Sequence, residues 1–292
     1  MPQIPTEQIP TIYHRRIGDI VVTALSDGAL ERTHEMMNDV AEDEGRRHLD
    51  AAFRSTFVLS VNAFVIHAGG KTILIETGSG DYLGPSMGKL RGNLKAAGIE
   101  PDDISSILLT HMHPDHSAGL TDMKTGAANY PNAELVIHEN EPRHWFDDGE
   151  MARGSEREKE LMFQQARDQT KPYLDRMRTF TDGELLPGIT AVPCHGHTPG
   201  HTGFLIESAG QSLLIWGDTV HMPEVQVPRP EVTMTVDTDP AGAEASRRRI
   251  FDMAASERML VTGMHLHYPG FGHIAREGSS YRFVPEPWQQ TL

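Results

Sequence analysis

Thr110-His111-Met112-His113-Pro114-Asp115-His116 places three imidazoles and a carboxylate directly after the apolar run Ile104-Ser105-Ser106-Ile107-Leu108-Leu109. The run is short and rich in branched side chains, so it predicts a buried strand ending at Thr110. Side chains alternate along an extended chain. His111 and His113 therefore share one side, Met112 turns into packing, and Pro114 ends the ladder. Asp115 and His116 follow beside the same point. Imidazole suits zinc, copper, iron and nickel, and a nearby carboxylate completes a site that needs no thiolate. That density of ligand atoms points to the floor of a metal site rather than to histidines capping a core.

Three further stretches repeat the form, with polar residues at the exit of an apolar run. Leu185 to Pro193 climbs into Cys194-His195-Gly196-His197-Thr198-Pro199-Gly200-His201, whose glycines and proline mark a loop; His195, His197 and His201 all compete as its ligand. Ser212-Leu213-Leu214-Ile215-Trp216 leads into Gly217-Asp218-Thr219-Val220-His221, and Met259-Leu260-Val261-Thr262-Gly263 into Met264-His265-Leu266-His267. His265 fits better than His267 because it comes first after the strand.

Composition narrows the chemistry. The chain has 292 residues, enough for one large or two small domains, and only one cysteine, Cys194, which excludes an internal disulfide and a thiolate-based zinc site. Its 16 histidines have metal binding as available work. A formal charge of -15 repels phosphate backbones and anionic lipid, so neither nucleic acid nor a membrane is an expected partner, and a small molecule is. The start, Met1-Pro2-Gln3-Ile4-Pro5, has no basic or apolar leader character, and no later window offers about 18 uninterrupted apolar residues, so a cytoplasmic protein is expected.

Along the chain, residues 1–18 carry three prolines and little periodicity, and read as an extended arm laid over the body or over a partner subunit in a homodimer. Residues 19–292 read as one domain. Asp19 to Leu25 predicts a strand, and residues 31–52 a surface helix or lid. Phe57 to His67 and Lys71 to Glu76 predict a hairpin over Ala68-Gly69-Gly70. Phe204 to Glu207 and Ser212 to Trp216 predict another. Glu76-Thr77-Gly78-Ser79-Gly80 lacks the ending of a phosphate loop. Lys89 to Ala97 and Ala241 to Ser256 predict helices. The charged stretch 139–174 predicts a helical insertion beside the cleft, and Tyr268 to Leu292 reads as loop-rich. Phe53, Phe57, Trp145 and Phe271 are the candidate apolar walls of a substrate pocket.

His-x-His-x-Asp-His in this setting resembles the signature of the metallo-β-lactamase superfamily, and the likeness runs from about Asp19 to His273. The resemblance implies an α+β fold, the four-layer αββα sandwich, holding two divalent ions: most often zinc, with manganese, iron or cobalt as alternatives. It implies His111, His113 and His197 around the first ion, Asp115, His116 and His265 around the second, and Asp218 between them. His197 is selected by the family's Pro-Gly-His-Thr-Pro-Gly-His pattern, which leaves His201 a supporting role, and Glu76, at a strand end followed by Thr and Gly, is implied to support the metal loop from behind. It further implies hydrolysis by a metal-bridging hydroxide, with Asp115 holding that hydroxide and passing a proton to the leaving group. Gly263 to His273, with Trp216 to His221, looks like the methyl parathion hydrolase-like branch of esterases and lactonases. His221 then stands near the position where well-known lactonases carry a tyrosine, as a candidate catalytic and substrate-binding residue. Small esters or lactones are the expected substrates. Organophosphate triesters and β-lactams are the alternatives, and a metal-binding protein without turnover is the non-enzymatic one.

Overall fold

Runs that are buried on both faces must be covered on both sides, and this chain has several. In the computed structural model, which describes residues 4–5 and 8–292, two sheets of seven strands each supply them. The first contains β1 (Ile12–Ile17), β2 (Ile20–Arg32), β3 (Phe57–Ala68), β4 (Lys71–Ile75), β5 (Ile104–Leu108), β6 (Glu134–His138) and β7 (Met177–Phe180), side by side in chain order. The second contains β8 (Gly183–Leu186), β9 (Ile189–Pro193), β10 (Thr202–Ser208), β11 (Gln211–Ile215), β12 (Leu260–Thr262), β13 (Gly272–Glu277) and β14 (Ser280–Pro285), again in chain order. Pairing is antiparallel except from β4 through β7 and between β11 and β12, where a connection with helical segments returns the chain.

Alternation along β3 shows how the layers form. Phe64 and Ile66 point inward to meet Phe204, Ile206 and Ile215 of the other sheet, while Ala63 and Val65 point outward onto Leu90 and Leu94 of the helix Leu90–Ala96. On the far side, Leu214 and Val261 pack against Ile250, Phe251 and Ala254 of the helix Pro240–Ser256. Helix, sheet, sheet and helix are thus stacked as the resemblance implies. Asp239 begins that last helix by accepting the backbone N–H of Gly242 at 3.1 Å, with Pro240 at its first position.

Several local expectations are corrected. Within the stretch read as an arm, residues 12–17 are β1, the edge strand of the first sheet, and Tyr13 and Ile17 enter the core between the sheets. The prolines that suggested an arm all precede this segment. Residues 1–3 and 6–7 lie outside the described residues. Tyr268 to Leu292 is not simply loop: β13 and β14 form a hairpin at the edge of the second sheet, where exposed Arg276, Glu277 and Arg282 mask the alternation. Residues 139–174 are helical as expected, in short pieces that carry the chain from β6 to β7.

Two of the aromatic residues proposed as pocket walls belong to the cores. Phe57 packs with Leu49, Leu59 and Met222, and Phe271 lies between the sheets with its ring 5.7 Å from Tyr13 and 6.2 Å from Phe64. Phe53 is 99% exposed on a loop. Replacing a buried Phe by Ala costs about 3–5 kcal/mol. Phe271→Ala should therefore lower the urea midpoint by that amount of stability while leaving metal stoichiometry at the wild-type value, and an unshifted midpoint would remove Phe271 from the core.

Candidate metal centre

Every ligand-bearing loop leaves a strand at the same edge of the sandwich, and backbone hydrogen bonds join the two sheets there. Thr202 N donates to Thr110 O at 3.0 Å and Asn62 N to Met264 O at 2.9 Å, while Trp216 N extends the β11–β12 pairing to Thr262 O at 3.0 Å. Asn62 Nδ2 adds a bond to Leu266 O at 2.7 Å, so the middle of β3 holds the loop that carries His265.

The structure brings all the predicted ligands together. His113 Nδ1 and His111 Nε2 lie 2.9 and 3.2 Å from His197 Nε2. Asp115 Oδ2 lies 3.5 Å from both His116 Nε2 and His265 Nε2. Between the two groups stands Asp218, whose Oδ2 is 3.7 Å from His111 Nε2, 3.4 Å from His197, 3.2 Å from His116 and 2.9 Å from His265. His221 Nε2 joins this ring at 3.1 Å. All are buried except Asp115, which is 16% exposed and faces the cleft.

The donor set fits divalent cations. His197 Nδ1 donates to Asp237 Oδ1 at 2.7 Å and His265 Nδ1 to Ser60 O at 2.7 Å, so in neutral rings the nitrogens turned to the centre present lone pairs. Lone pairs facing one another at hydrogen-bond distance need a cation between them. Both nitrogens of His116 and Oδ1 of Asp218 are buried without a hydrogen-bond partner, which is the same demand seen atom by atom.

Buried carboxylates fix the loops. Glu76, at φ 66°, accepts Thr110 N on Oε1 at 2.8 Å and turns Oε2 toward His116 Nδ1 at 3.4 Å. The next residue, Thr77, donates both its N–H and its hydroxyl to His116 O at 2.8 Å. Glu141 accepts four bonds: Met112 N at 2.9 Å and Trp145 Nε1 at 2.8 Å on one oxygen, Thr198 Oγ1 at 2.6 Å and Gly200 N at 2.8 Å on the other. It straps the first histidine loop to the second. A Cβ on Gly200 would lie 2.8–2.9 Å from Glu141 atoms, so glycine is required there. Arg247, fully buried, holds the segment that carries Asp218 by donating to Thr219 O, Pro230 O and Val232 O, each at 2.7 Å.

The remaining histidines separate cleanly. His201 donates from Nδ1 to Cys194 O at 2.9 Å and accepts Asp218 N on Nε2 at 2.8 Å, a neutral ring that aims Asp218; burial and the neighbouring His197 push it down to about 3. His195 faces His138 outside the centre, His267 meets Glu224 Oε1 at 2.6 Å, and His273 donates to Met259 O. Asp237, Glu141 and Asn62 were not singled out in the sequence. Each is a lone polar residue whose partner is far along the chain, 40 positions away for Asp237 and His197, and no local pattern reports that.

A cavity of about 970 Å3 opens above the centre. His113, Asp115, Asp218 and His221 form its floor. Trp145, Met162 and Phe163 make one wall, Met36, Leu59 and Leu83 another, and Tyr82 reaches it from the loop after β4. Of the predicted apolar walls only Trp145 lines this space, with its ring 5.5 Å from that of His113. Phe271 instead borders a separate cavity of about 560 Å3.

Residues 56–265 match the family profile of the metallo-beta-lactamase superfamily, and the chain belongs to that superfamily. It is 26% identical over 197 residues to an N-acyl homoserine lactonase of Bacillus thuringiensis, covering 66% of this chain and 65% of that one. The chain spans less than two thirds of the length of the first curated relatives it matches. Among solved structures it is similar to AbOPH, a hydrolase of the beta lactamase superfamily, with a TM-score of 0.92, 30% identity, 97% of this chain and all of that one covered. AidC, a dizinc quorum-quenching lactonase, shares the fold with a TM-score of 0.91 at 24% identity, over 97% of this chain and 100% of that one. No helix among the described residues is long and apolar enough to cross a membrane.

The protonation of the ligand-free ring gives a signed prediction. Burial would lower His197, but its bonds to Asp218 and Asp237 outweigh that and push it up to about 9. Burial likewise opposes a charge on His116, yet Asp218, Asp115 and Glu76 raise it well above the ordinary histidine value. Both rings carry a proton at neutral pH and must lose it to ligate a cation. Metal affinity should therefore rise with pH up to about 9, by up to two decades per pH unit while both rings start protonated. Competition against a chromophoric chelator at several pH values measures this, and an affinity independent of pH would show the rings already neutral.

Proposed function

We propose that this chain is a metal-dependent hydrolase that holds two divalent ions, zinc by first choice, and cleaves small carboxylic esters or lactones. The observation that carries the reading is Asp218 Oδ2, flanked by His111 and His197 on one side and by His116 and His265 on the other, below an open cavity. Dizinc AidC and the Bacillus lactonase support the metal count and the substrate class. When bound, such ions acidify water toward neutral pH and polarise a carbonyl oxygen.

The chain's own groups supply the rest. Asp115 is the most exposed residue of the ligand set, and it faces the cleft. Burial pushes its carboxyl up, but His116 and His265 outweigh this and hold it below the usual carboxylate range, so it stays ionised and can accept a proton at its carboxylate and return one to the leaving alcohol. A protein that only stored metal would need no ionised carboxylate facing the cleft.

His221 is pushed down to about 4, chiefly by burial, and is a neutral ring. Its Nε2 lies 3.1 Å from Asp218 Oδ2 and donates there, leaving Nδ1, which is buried without a partner, as an acceptor. His221 lines the cavity floor through the rest of its ring, Nδ1 being sealed from the cleft. The apolar walls around Trp145, Phe163 and Leu59 exclude water from an acyl chain.

A panel of aryl esters, lactones, phosphotriesters and β-lactams should show turnover of esters or lactones by zinc- or manganese-loaded protein and none after metal removal. Full metal occupancy without turnover of any of them would leave a metal-binding protein. Asp115→Asn should lower kcat by about 100-fold or more with the fold retained by circular dichroism. An unchanged kcat would remove Asp115 from the proton path.

A further inference from the structure

The mouth of the metal cleft carries two guanidinium groups with no ion-pair partner. Arg32 ends β2 on one side, and Arg157 comes from the helical connection between β6 and β7 on the other; both line the cavity whose floor is His113, Asp115, Asp218 and His221. Among the described residues neither forms a salt bridge, although the chain as a whole carries a charge of -15. Arg32 is half-buried and donates only to the backbone, Nη1 to Glu31 O at 3.1 Å.

Among the glutamates of the same rim only Glu150 is ion-paired, and Glu158 and Glu35 are turned to neutral donors. Glu158 accepts Ser155 N and Oγ, both at 2.7 Å. Glu150 pairs with Arg153 at 2.5 Å, and Glu35 accepts Thr33 Oγ1 at 3.4 Å. The carboxylate of Glu31 is exposed on the rim. Arg153 is thus a neutralised arginine of the same cleft, and Arg32 and Arg157 are its unneutralised counterparts. The two lie close enough for Arg157 to oppose the charge of Arg32 and for Asp115 to favour it.

Two guanidinium groups that form no ion pair, set around one cleft beside an apolar wall, are placed to take an anion between them. The guanidinium fork matches a carboxylate with two parallel N–H bonds. We propose that Arg32 and Arg157 form an anion anchor, and that the substrates of this centre are esters or lactones bearing a carboxylate remote from the bond that is cleaved. The anchor rests on the hydrolase reading for its substrate class and stands apart from it as a binding property. Hydrolysis of such a substrate adds water across the acyl C–O bond and releases an alcohol and a second carboxylate, so the acyl product is a dicarboxylate when the anchored group lies on the acyl side.

Adipate and hexanoate test this with equal chain length and one carboxylate of difference. Isothermal titration of the metal-loaded protein should find adipate bound about tenfold more tightly. That gap should disappear in Arg32→Gln and in Arg157→Gln, shrink in Arg32→Lys, and persist in Arg153→Gln, whose side chain is already paired. Arg157 is exposed, so its variant tests the anchor even where Arg32→Gln fails to fold. Equal binding of the two acids by wild type, or a gap that survives both glutamine variants, overturns the anchor. An aryl hemiester of adipate beside aryl hexanoate separates the two readings. Failure to cleave either ester with the binding gap intact removes the hydrolase and keeps the anchor, and cleavage of both at equal kcat/KM with no binding gap removes the anchor and keeps the hydrolase.

Discussion

Mutual repulsion is the constraint at the heart of this protein. Five imidazole nitrogens lie within 3.7 Å of one carboxylate oxygen, at the floor of the cleft. In a protein of ordinary softness those rings would rotate away or swing toward solvent. They are held because each ring, or its backbone, is bound from behind. Asp237 takes the outer nitrogen of His197, the carbonyl of Ser60 takes that of His265, Glu76 and Thr77 hold His116, and His201 holds Asp218 by its backbone N–H. Burying carboxylates is costly unless their hydrogen bonds are made, and here they are: Glu141 accepts four.

Much of this was legible in the residues alone. The four clusters each follow an apolar run, and a strand that must end produces a loop at a known edge, so the clusters could be named from position. The likeness to the superfamily then chose the candidate ligands His111, His113, Asp115, His116, His197, Asp218 and His265 within them and placed Glu76 behind the metal loop. What was not legible shares one property. Glu141 sits in an acidic helical stretch where nothing local distinguishes it from Glu139, and Asp237 lies in a loop with no repeat or spacing. Both acquire their meaning from partners in another part of the chain. Aromatic residues misled for a different reason: Phe57 and Phe271 are apolar and near the clusters in sequence, but the same apolarity is satisfied by a core, and burial alone decides between the two. The hairpin β13–β14 went unread because an edge strand shows only one dry face, and the wet one carries charges.

The two halves contribute unequally to the cleft. The second sheet supplies His197, Asp218, His221 and His265, all from short loops pinned by backbone bonds. The first supplies His111 to His116, and also, through the long connection from β6 to β7, Trp145, Phe163 and the charged rim. Chemistry is thereby set on rigid strand ends, while the surface that meets a substrate's tail rests on a string of short helices. That connection also carries Glu141, which straps the two histidine loops, so the ligand geometry depends on it as well.

The ligands are also far apart in the chain: His113 and His197 are separated by 84 positions, and His265 reaches back 205 positions to its partner Ser60. During synthesis the cluster at His111 emerges long before His265 exists. A nascent chain therefore exposes a partial set of imidazoles with neither the facing loops nor the supporting carboxylates in place. The cluster belongs to the finished protein and is complete only after both sheets have closed.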